Sequence, residues 1–191
     1  SWATGTSIAS GTPANPVSED LVGEYFQGAG RPQRGFPGCI FENKLIYAGD
    51  NYTHNSTAPP IRMFDGTNDY DLCRIPYNPD AGTQSFGIVN MIAANGTVYL
   101  TTLDSGANDT DFRGRVFSLN PSTRVLTQLG ATITTGHVPY SLCYAYGRLW
   151  MGSMHITNGT AAKVYYFRPG VDTTWTVERT MSSSGHIGIT S

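Results

Sequence analysis

The chain has 191 residues, which is long enough to bury one substantial hydrophobic core. Only 14% of the residues are charged and the net charge is −2, so electrostatics favours neither nucleic acid nor an anionic membrane as a partner. No apolar run approaches the ~18–20 residues of a membrane-crossing helix, and no basic-then-apolar secretion signal stands at the start.

Residues 1–34 precede the regular part of the sequence. The first eighteen carry no charge and are rich in Ser, Thr, Gly and Pro, a composition typical of an extended segment. Leu21–Phe26 has the residue types of one short strand. We therefore expect residues 1–34 to form an extended arm or part of a preceding structural unit.

From residue 35 onward the sequence repeats. Lys44, Thr97 and Arg148 occupy equivalent positions, separated by steps of 53 and 51 residues. A run resembling residues 136–143 returns at 185–191 and indicates the start of a further unit. The aligned segments are KLIYAG, TVYLTT and RLWMGS, then RMFDG, RVFSL and KVYYF.

Each repeat unit is predicted to hold four antiparallel strands and no helix. Short runs of β-branched and aromatic residues are separated by Asn-Gly, Asp-Gly and Pro-containing turns. The units span about 35–84, 85–134 and 135–184. The predicted strands are Gly38–Glu42, Lys44–Gly49, Ile61–Phe64 and Asp71–Ile75, then Val89–Ala93, Thr97–Thr102, Arg115–Leu119 and Val125–Leu129, then Ser141–Tyr146, Arg148–Gly152, Lys163–Phe167 and Thr174–Arg179.

Four-stranded units of this period are typical of a β-propeller, and kelch blades have about this length. The phrases GRLWMGS, VYYFRPGVDTTWTVERT and APPIRMFDGT resemble the loosely patterned blades of some bacteriophage tail and virion-surface proteins. The resemblance implies an all-β fold of four-stranded antiparallel blades. Since closed propellers typically have four to eight blades, three blades imply part of a larger or shared propeller, in which residues 185–191 begin a further blade.

The three cysteines are predicted to be free thiols. Cys39 and Cys143 occupy equivalent positions, and the middle unit has Ile92 there. An isoleucine at the same position indicates an apolar slot, in which a free cysteine behaves as a small hydrophobe. We therefore expect Cys39 and Cys143 to be buried and not bonded to each other.

The candidate binding surface is one end of the blades. Alternation of antiparallel strands sends the long loops between second and third strands to the same end as the segments that join the units. All four histidines fall at this end, where loops on a rigid scaffold commonly bind ligands. His137 and His186 recur at matching positions, which equally fits a repeated structural role. The candidate ligand-binding residues are Asp50, Tyr52, His54, His137, His155 and His186.

Calcium is the one cofactor that the sequence suggests. Asp104, Asp109 and Asp111 lie within eight residues, and hard carboxylate oxygens at close spacing suit Ca²⁺. The spacing does not match an EF-hand, and a solvated Asp-rich turn is the alternative.

Five Asn-x-Ser/Thr sequons are present, and four of them lie in the long loops. In a eukaryotic secretory source they predict surface glycosylation. The acceptor residues are Asn51, Asn55, Asn95, Asn108 and Asn158.

The segment from Gly170 to Trp175 is similar to the sialidase Asp-box, a hairpin of the form S-x-D-x-G-x-T-W. Asp172 lies three residues before Trp175 instead of five, and the intervening glycine is missing. We therefore expect Trp175 to pack between blades, with no catalytic role implied.

Three functions agree with this pattern. The first is a non-enzymatic virion or extracellular surface protein, whose propeller binds a host glycan or a neighbouring subunit. The second is a secreted, glycan-acting hydrolase or lyase whose catalytic residues lie outside this segment. The third is a scaffold that assembles into a homo-oligomer. Among the predicted first strands Glu42 is the only acid, which favours the first function over the second.

Overall fold

The computed structural model describes residues 37–48, 53–54, 60–76, 85–105, 112–133, 137–155 and 162–181. Within these ranges the chain forms strands and turns and no helix, hence no helix that would cross a membrane. The strands are β1 (Gly38–Phe41), β2 (Lys44–Ala48), β3 (Thr53–His54), β4 (Pro60–Phe64), β5 (Asp69–Arg74), β6 (Ser85–Ala94), β7 (Thr97–Ser105), β8 (Phe112–Arg113), β9 (Val116–Asn120), β10 (Val125–Gln128), β11 (His137–Ala145), β12 (Arg148–His155), β13 (Lys163–Phe167) and β14 (Thr176–Thr180).

The strands form three antiparallel sheets in chain order. The first sheet has the order β1-β2-β4-β5, and the third has the order β11-β12-β13-β14. The second has the order β10-β9-β7-β6-β3, with β8 paired to β7. The predicted all-β fold of four-stranded antiparallel blades is thereby confirmed. The prediction missed β3 and β8, because two-residue strands within loops carry no periodic signal.

Three tight hairpins join the first and second strands of the sheets. Both central residues of each turn have positive φ, between 47° and 72°. This is the type I′ geometry that matches the right-handed twist of the flanking strands. Asn and Gly tolerate it readily, whereas Glu42 and Tyr146 adopt it at some cost in backbone strain. The turns are Glu42-Asn43, Asn95-Gly96 and Tyr146-Gly147.

The sheets stack face to face around their first strands. Strand β6 contacts both β1 and β11, so the three first strands lie together on the inner side. Two hydrophobic clusters fill the seams: one contains Ile46, Val98 and Leu119, and the other contains Tyr99 and Leu149. Full burial of each large side chain contributes about 1.5–3 kcal/mol, so these seams are the main source of stability.

The second sheet is buried on both faces. Along β7, Val98 and Leu100 face the first sheet, while Tyr99 faces the third. Thr101 and Thr102 complete a run of five fully buried residues. This explains why TVYLTT lacks the alternation of polar and apolar residues expected of a half-exposed strand.

The cysteine prediction is confirmed with one difference. All three cysteines are free thiols: Cys143 is buried, whereas Cys39 and Cys73 are half-buried. Cys39 packs against the first cluster and Ile92 against the second, at equivalent positions of β1 and β6. The slot therefore lies on the face that each sheet turns toward the next.

We expect the thiols to react slowly in the folded protein. Burial raises the pKa of Cys39 to about 12 and that of Cys73 to about 11, and it also raises the pKa of Cys143. At pH 8 less than ~0.1% of Cys73 would be thiolate, against roughly a quarter once unfolding returns its pKa to ~8.5. Labelling with a thiol reagent at pH 8 should be slow in native buffer and should count three thiols in denaturant without reductant. A count of one would contradict the assignment of three free thiols.

Candidate functional site

The long connections lie at one end of the sheets, here called the loop end: the end where β1, β6 and β11 begin and where β2, β7 and β12 finish. The tight hairpins occupy the opposite end. At the loop end His137 of β11 lies opposite His155 of β12, and His54 of β3 lies opposite Ser85 of β6. The backbone positions of three of the four histidines therefore share this end, as predicted from strand alternation.

His137 is buried and holds a connection in place. Its Nδ1 atom lies 3.1 Å from Oγ of Ser153. That hydroxyl donates to the carbonyl oxygen of Lys163 at 3.2 Å and accepts from its backbone N–H at 3.1 Å. These contacts join β11, β12 and the start of β13, and a ligand-binding role for His137 stays a prediction.

The other predicted ligand-binding residues are placed only in part. His54 and His155 lie in strands at the loop end, and the description covers their backbone alone. Asp50, Tyr52 and His186 lie outside the described residues. A binding role for these residues stays a prediction.

A buried ion pair lies near the loop end, where the sequence suggested calcium. Asp104 is fully buried, and Arg115 bonds both of its carboxylate oxygens, with Nε–Oδ2 at 2.8 Å and Nη2–Oδ1 at 3.2 Å. A cation at Asp104 would have to displace this guanidinium. Asp109 and Asp111 lie outside the described residues, so the calcium site stays a prediction. Among the described residues, no three His, Cys, Asp or Glu side chains are placed to hold a metal ion.

Arg115 also joins the first and second sheets. Its Nη2 atom donates to the carbonyl oxygen of Pro76, just after β5, at 2.9 Å. The guanidinium carbon lies 5.0 Å from the ring centroid of Phe117, in cation–π contact. The sequence aligned Arg115 with Arg62 and Lys163 but gave no sign of its buried partner. The one sequence signal for this contact was the predicted antiparallel pairing of the second and third strands of the unit. That pairing, seen between β7 and β9, brings Arg115 back to the end of β7 that carries Asp104.

A close approach fixes the third sheet to the second at the same end. Gly114 lies so near Pro139 of β11 that an added Cβ would stand 2.0 Å from the proline Cδ atom. Only glycine allows this contact without displacement of backbone. Nearby, the Asn90 side-chain amide donates to the carbonyl oxygen of Tyr140 at 3.5 Å. The loop end therefore rests on a scaffold fixed across both seams.

The turn that resembles an Asp-box has a structural role. A side-chain hydrogen bond from Arg168 is the main reason that the pKa of Asp172 is lowered, and the same carboxylate accepts the Arg168 backbone N–H at 2.7 Å. Trp175 donates its indole N–H to the carbonyl oxygen of Leu129 at 2.7 Å, and its ring centroid lies 5.1 Å from that of Phe167. Packing of Trp175 between blades is thereby confirmed, and the turn lies at the end opposite the loop end.

One of the five glycosylation acceptors is described. Asn95 is exposed in the hairpin turn between β6 and β7, with φ of 50°. Asn51, Asn55, Asn108 and Asn158 lie outside the described residues. Glycosylation at these positions stays a prediction for a secretory source.

Comparison with known proteins supports the fold. No protein-family model matches the sequence, and a search of curated proteins gives no match. Among solved structures, the chain is similar to a mutant of Trypanosoma rangeli sialidase displaying trans-sialidase activity, with 14% identity and a TM-score of 0.56 over 75% of the chain. It is also similar to Trypanosoma rangeli sialidase in complex with sialic acid, with 14% identity and a TM-score of 0.54. The chain spans 27% of each sialidase.

A similarity with a lower TM-score is to a subtype N10 neuraminidase-like protein of a little yellow-shouldered bat isolate, at 15% identity and a TM-score of 0.47. This match covers 76% of the chain and 44% of that protein. The sialidase matches show that the three sheets are arranged as β-propeller blades are.

Proposed function

We propose that this chain is a glycan-recognising propeller module of a virion or extracellular surface protein, and that the loop end makes the contact. The observation that carries the proposal is the geometry of that end. All three connections between second and third strands leave this end. The sheets beneath them are held together by buried contacts such as the hydrogen bond from Arg115 to the carbonyl oxygen of Pro76. Long loops on a fixed base are the usual place for recognition.

The chemistry of the loops suits a sugar or a polar protein surface. The loop segments 50–60, 103–114 and 153–162 are rich in Asn, Thr, Ser and Asp, with Tyr52 among them. Neutral hydrogen-bonding groups and an aromatic face match the hydroxyls and C–H surfaces of a sugar ring. The likeness to a sialidase in complex with sialic acid supports a glycan over a protein surface as the partner.

A glycan-cleaving function is the second candidate. It is favoured by one observation, the likeness of the three sheets to a sialidase described as a covalent intermediate with difluorosialic acid. The residues that would perform such chemistry would come partly from sequence outside this segment, because the chain spans 27% of that protein.

The test is a binding screen with sialylated and non-sialylated cell-surface glycans, using the intact chain. We expect binding that depends weakly on salt, because the net charge is small. Tyr52→Ala and His155→Ala should lower binding at least several-fold and leave the circular dichroism spectrum unchanged. Asn95→Ala at the opposite end is the matched control and should bind normally.

Two results decide between the candidates. Release of free sugar from a bound glycan would support cleavage over simple recognition. Normal binding by both loop variants, together with loss of binding in Asn95→Ala, would show that the opposite end makes the contact.

A further inference from the structure

Equivalent rows of side chains form the two seams between sheets. Each sheet has a forward row of side chains, facing the next sheet, and a backward row, facing the previous sheet. Each row contains one residue from the first, one from the second and one from the third main strand of its sheet. The forward rows are Cys39–Ile46–Met63, Ile92–Tyr99–Ser118 and Cys143–Trp150–Tyr166. The backward rows are Ile40–Leu45–Phe64, Ala93–Val98–Leu119 and Tyr144–Leu149–Phe167.

Both seams join a forward row to a backward row. In the first seam, Ile46 of the first sheet shares a cluster with Val98 and Leu119 of the second. In the second seam, Tyr99 shares a cluster with Leu149, and its ring stacks on that of Tyr144 at 6.0 Å and 8°. The pairing rule is therefore the same in both seams.

Two rows are left without a partner among the described sheets. The backward row of the first sheet is open, because Ile40 is 52% exposed and Leu45 is half-buried. The residues equivalent to Leu45 in the other two sheets, Val98 and Leu149, are 0% exposed. The forward row of the third sheet is open at Trp150 and Tyr166, which are half-buried, whereas Cys143 in the same row is buried.

The open forward row of the third sheet is strongly aromatic. The rings of Trp150 and Tyr166 lie 5.8 Å apart, and the Arg148 guanidinium stacks over Tyr166 at 4.7 Å. In the two closed seams the residues equivalent to Trp150 are Ile46 and Tyr99, both buried. A large aromatic at a seam position, left in contact with water, is the kind of surface that marks an interface.

We infer that a second copy of this chain covers these rows: the forward row of the third sheet in one copy packs on the backward row of the first sheet in the other, and the reverse. Continuity with the two closed seams supports this arrangement, since the same row types meet. The number of described sheets supports it as well. Closed propellers typically have four to eight blades, and the described sheets of two copies number six, the only multiple of three in that range. A head-to-tail contact that closes after two copies gives a discrete dimer and no filament.

The first measurement is the mass of the intact chain in solution, by light scattering over about 1–100 µM. We expect a species of twice 20.6 kDa. A single-chain mass at every concentration would overturn the inference, and so would a trimer or an open polymer.

Two variants test which rows meet. Ile40→Glu changes an exposed residue, so folding should be preserved while a charge enters the seam. Trp150→Glu places a charge in the opposite row, at a half-buried position whose indole N–H bonds the carbonyl oxygen of Ala145 at 3.3 Å, so its fold is checked by circular dichroism before its mass is measured. Each variant alone should run as a single chain with an unchanged circular dichroism spectrum. Val125→Glu, at a 56% exposed position on the outer strand β10, is the matched control and should stay dimeric.

Mixing the variants tests the head-to-tail geometry. An Ile40→Glu chain still has an intact forward row, and a Trp150→Glu chain still has an intact backward row. One seam of their heterodimer is therefore undamaged, and the mixture should regain dimer that neither variant forms alone. A dimer that persists in both variants, or a mixture that regains none, would contradict the arrangement.

Discussion

Replacing Arg115 with Met is expected to lower the free energy of unfolding by about 3–5 kcal/mol, the usual cost of removing one member of a buried ion pair. The side chains of Arg115 and Asp104 are 3% and 0% exposed, so water cannot solvate the carboxylate that remains. The variant also loses the bond to the carbonyl oxygen of Pro76, which joins the first sheet to the second. Urea unfolding followed by circular dichroism measures the loss.

The double variant Asp104→Leu/Arg115→Met is the control for this experiment. It removes both charges and replaces them with apolar groups, which is often neutral or stabilising for buried ion pairs. We expect it to be more stable than Arg115→Met alone. Equal or greater loss in the double variant would show that the contribution of Arg115 is packing and its bond to Pro76, with little from the charge pair.

Replacing Phe167 with Ala is expected to cost about 3–5 kcal/mol by opening a cavity in the seam between the second and third sheets. The ring is 3% exposed and contacts Trp175, whose indole N–H bonds the carbonyl oxygen of Leu129 in the second sheet. The loss should therefore also weaken the attachment of the β13–β14 hairpin. Thermal unfolding of the variant measures the effect.

Val171→Ala is the matched control, because Val171 is 67% exposed in the turn of the same hairpin. We expect it to change the stability by under ~0.5 kcal/mol. Phe167→Leu should lose less than Phe167→Ala, since it leaves a smaller cavity. A loss below about 1 kcal/mol in Phe167→Ala would show that this seam collapses around the missing ring.

The loop end was predictable from the sequence, whereas its buried contacts were not. Strand alternation alone placed His54, His137 and His155 at one end, because antiparallel strands fix the direction of every connection. The described contacts of His137 are with Ser153 and, through it, with Lys163, which come from two other strands of the sheet. A pattern in one strand does not reveal which polar group lies beside it across the sheet.

By itself, the sequence determined the repeat, the four-stranded units and the hairpins. The steps between Lys44, Thr97 and Arg148, and turns such as Asn95-Gly96, record local preferences that act within a few residues of one another. It also identified the slot shared by Cys39, Ile92 and Cys143, since equivalent positions in a repeat meet equivalent surroundings.

Only the tertiary structure decided what surrounds Asp104 and Trp150. Three nearby carboxylates predict calcium from the sequence, and the structure adds that Asp104 is fully buried against Arg115, eleven residues away in the chain. Trp150 sits at a seam position like Ile46 and Tyr99, but on a face that no described sheet covers. The physical reason is that local sequence fixes the strand and the face of a residue, whereas the charge or surface facing it comes from a distant segment that packing alone brings near.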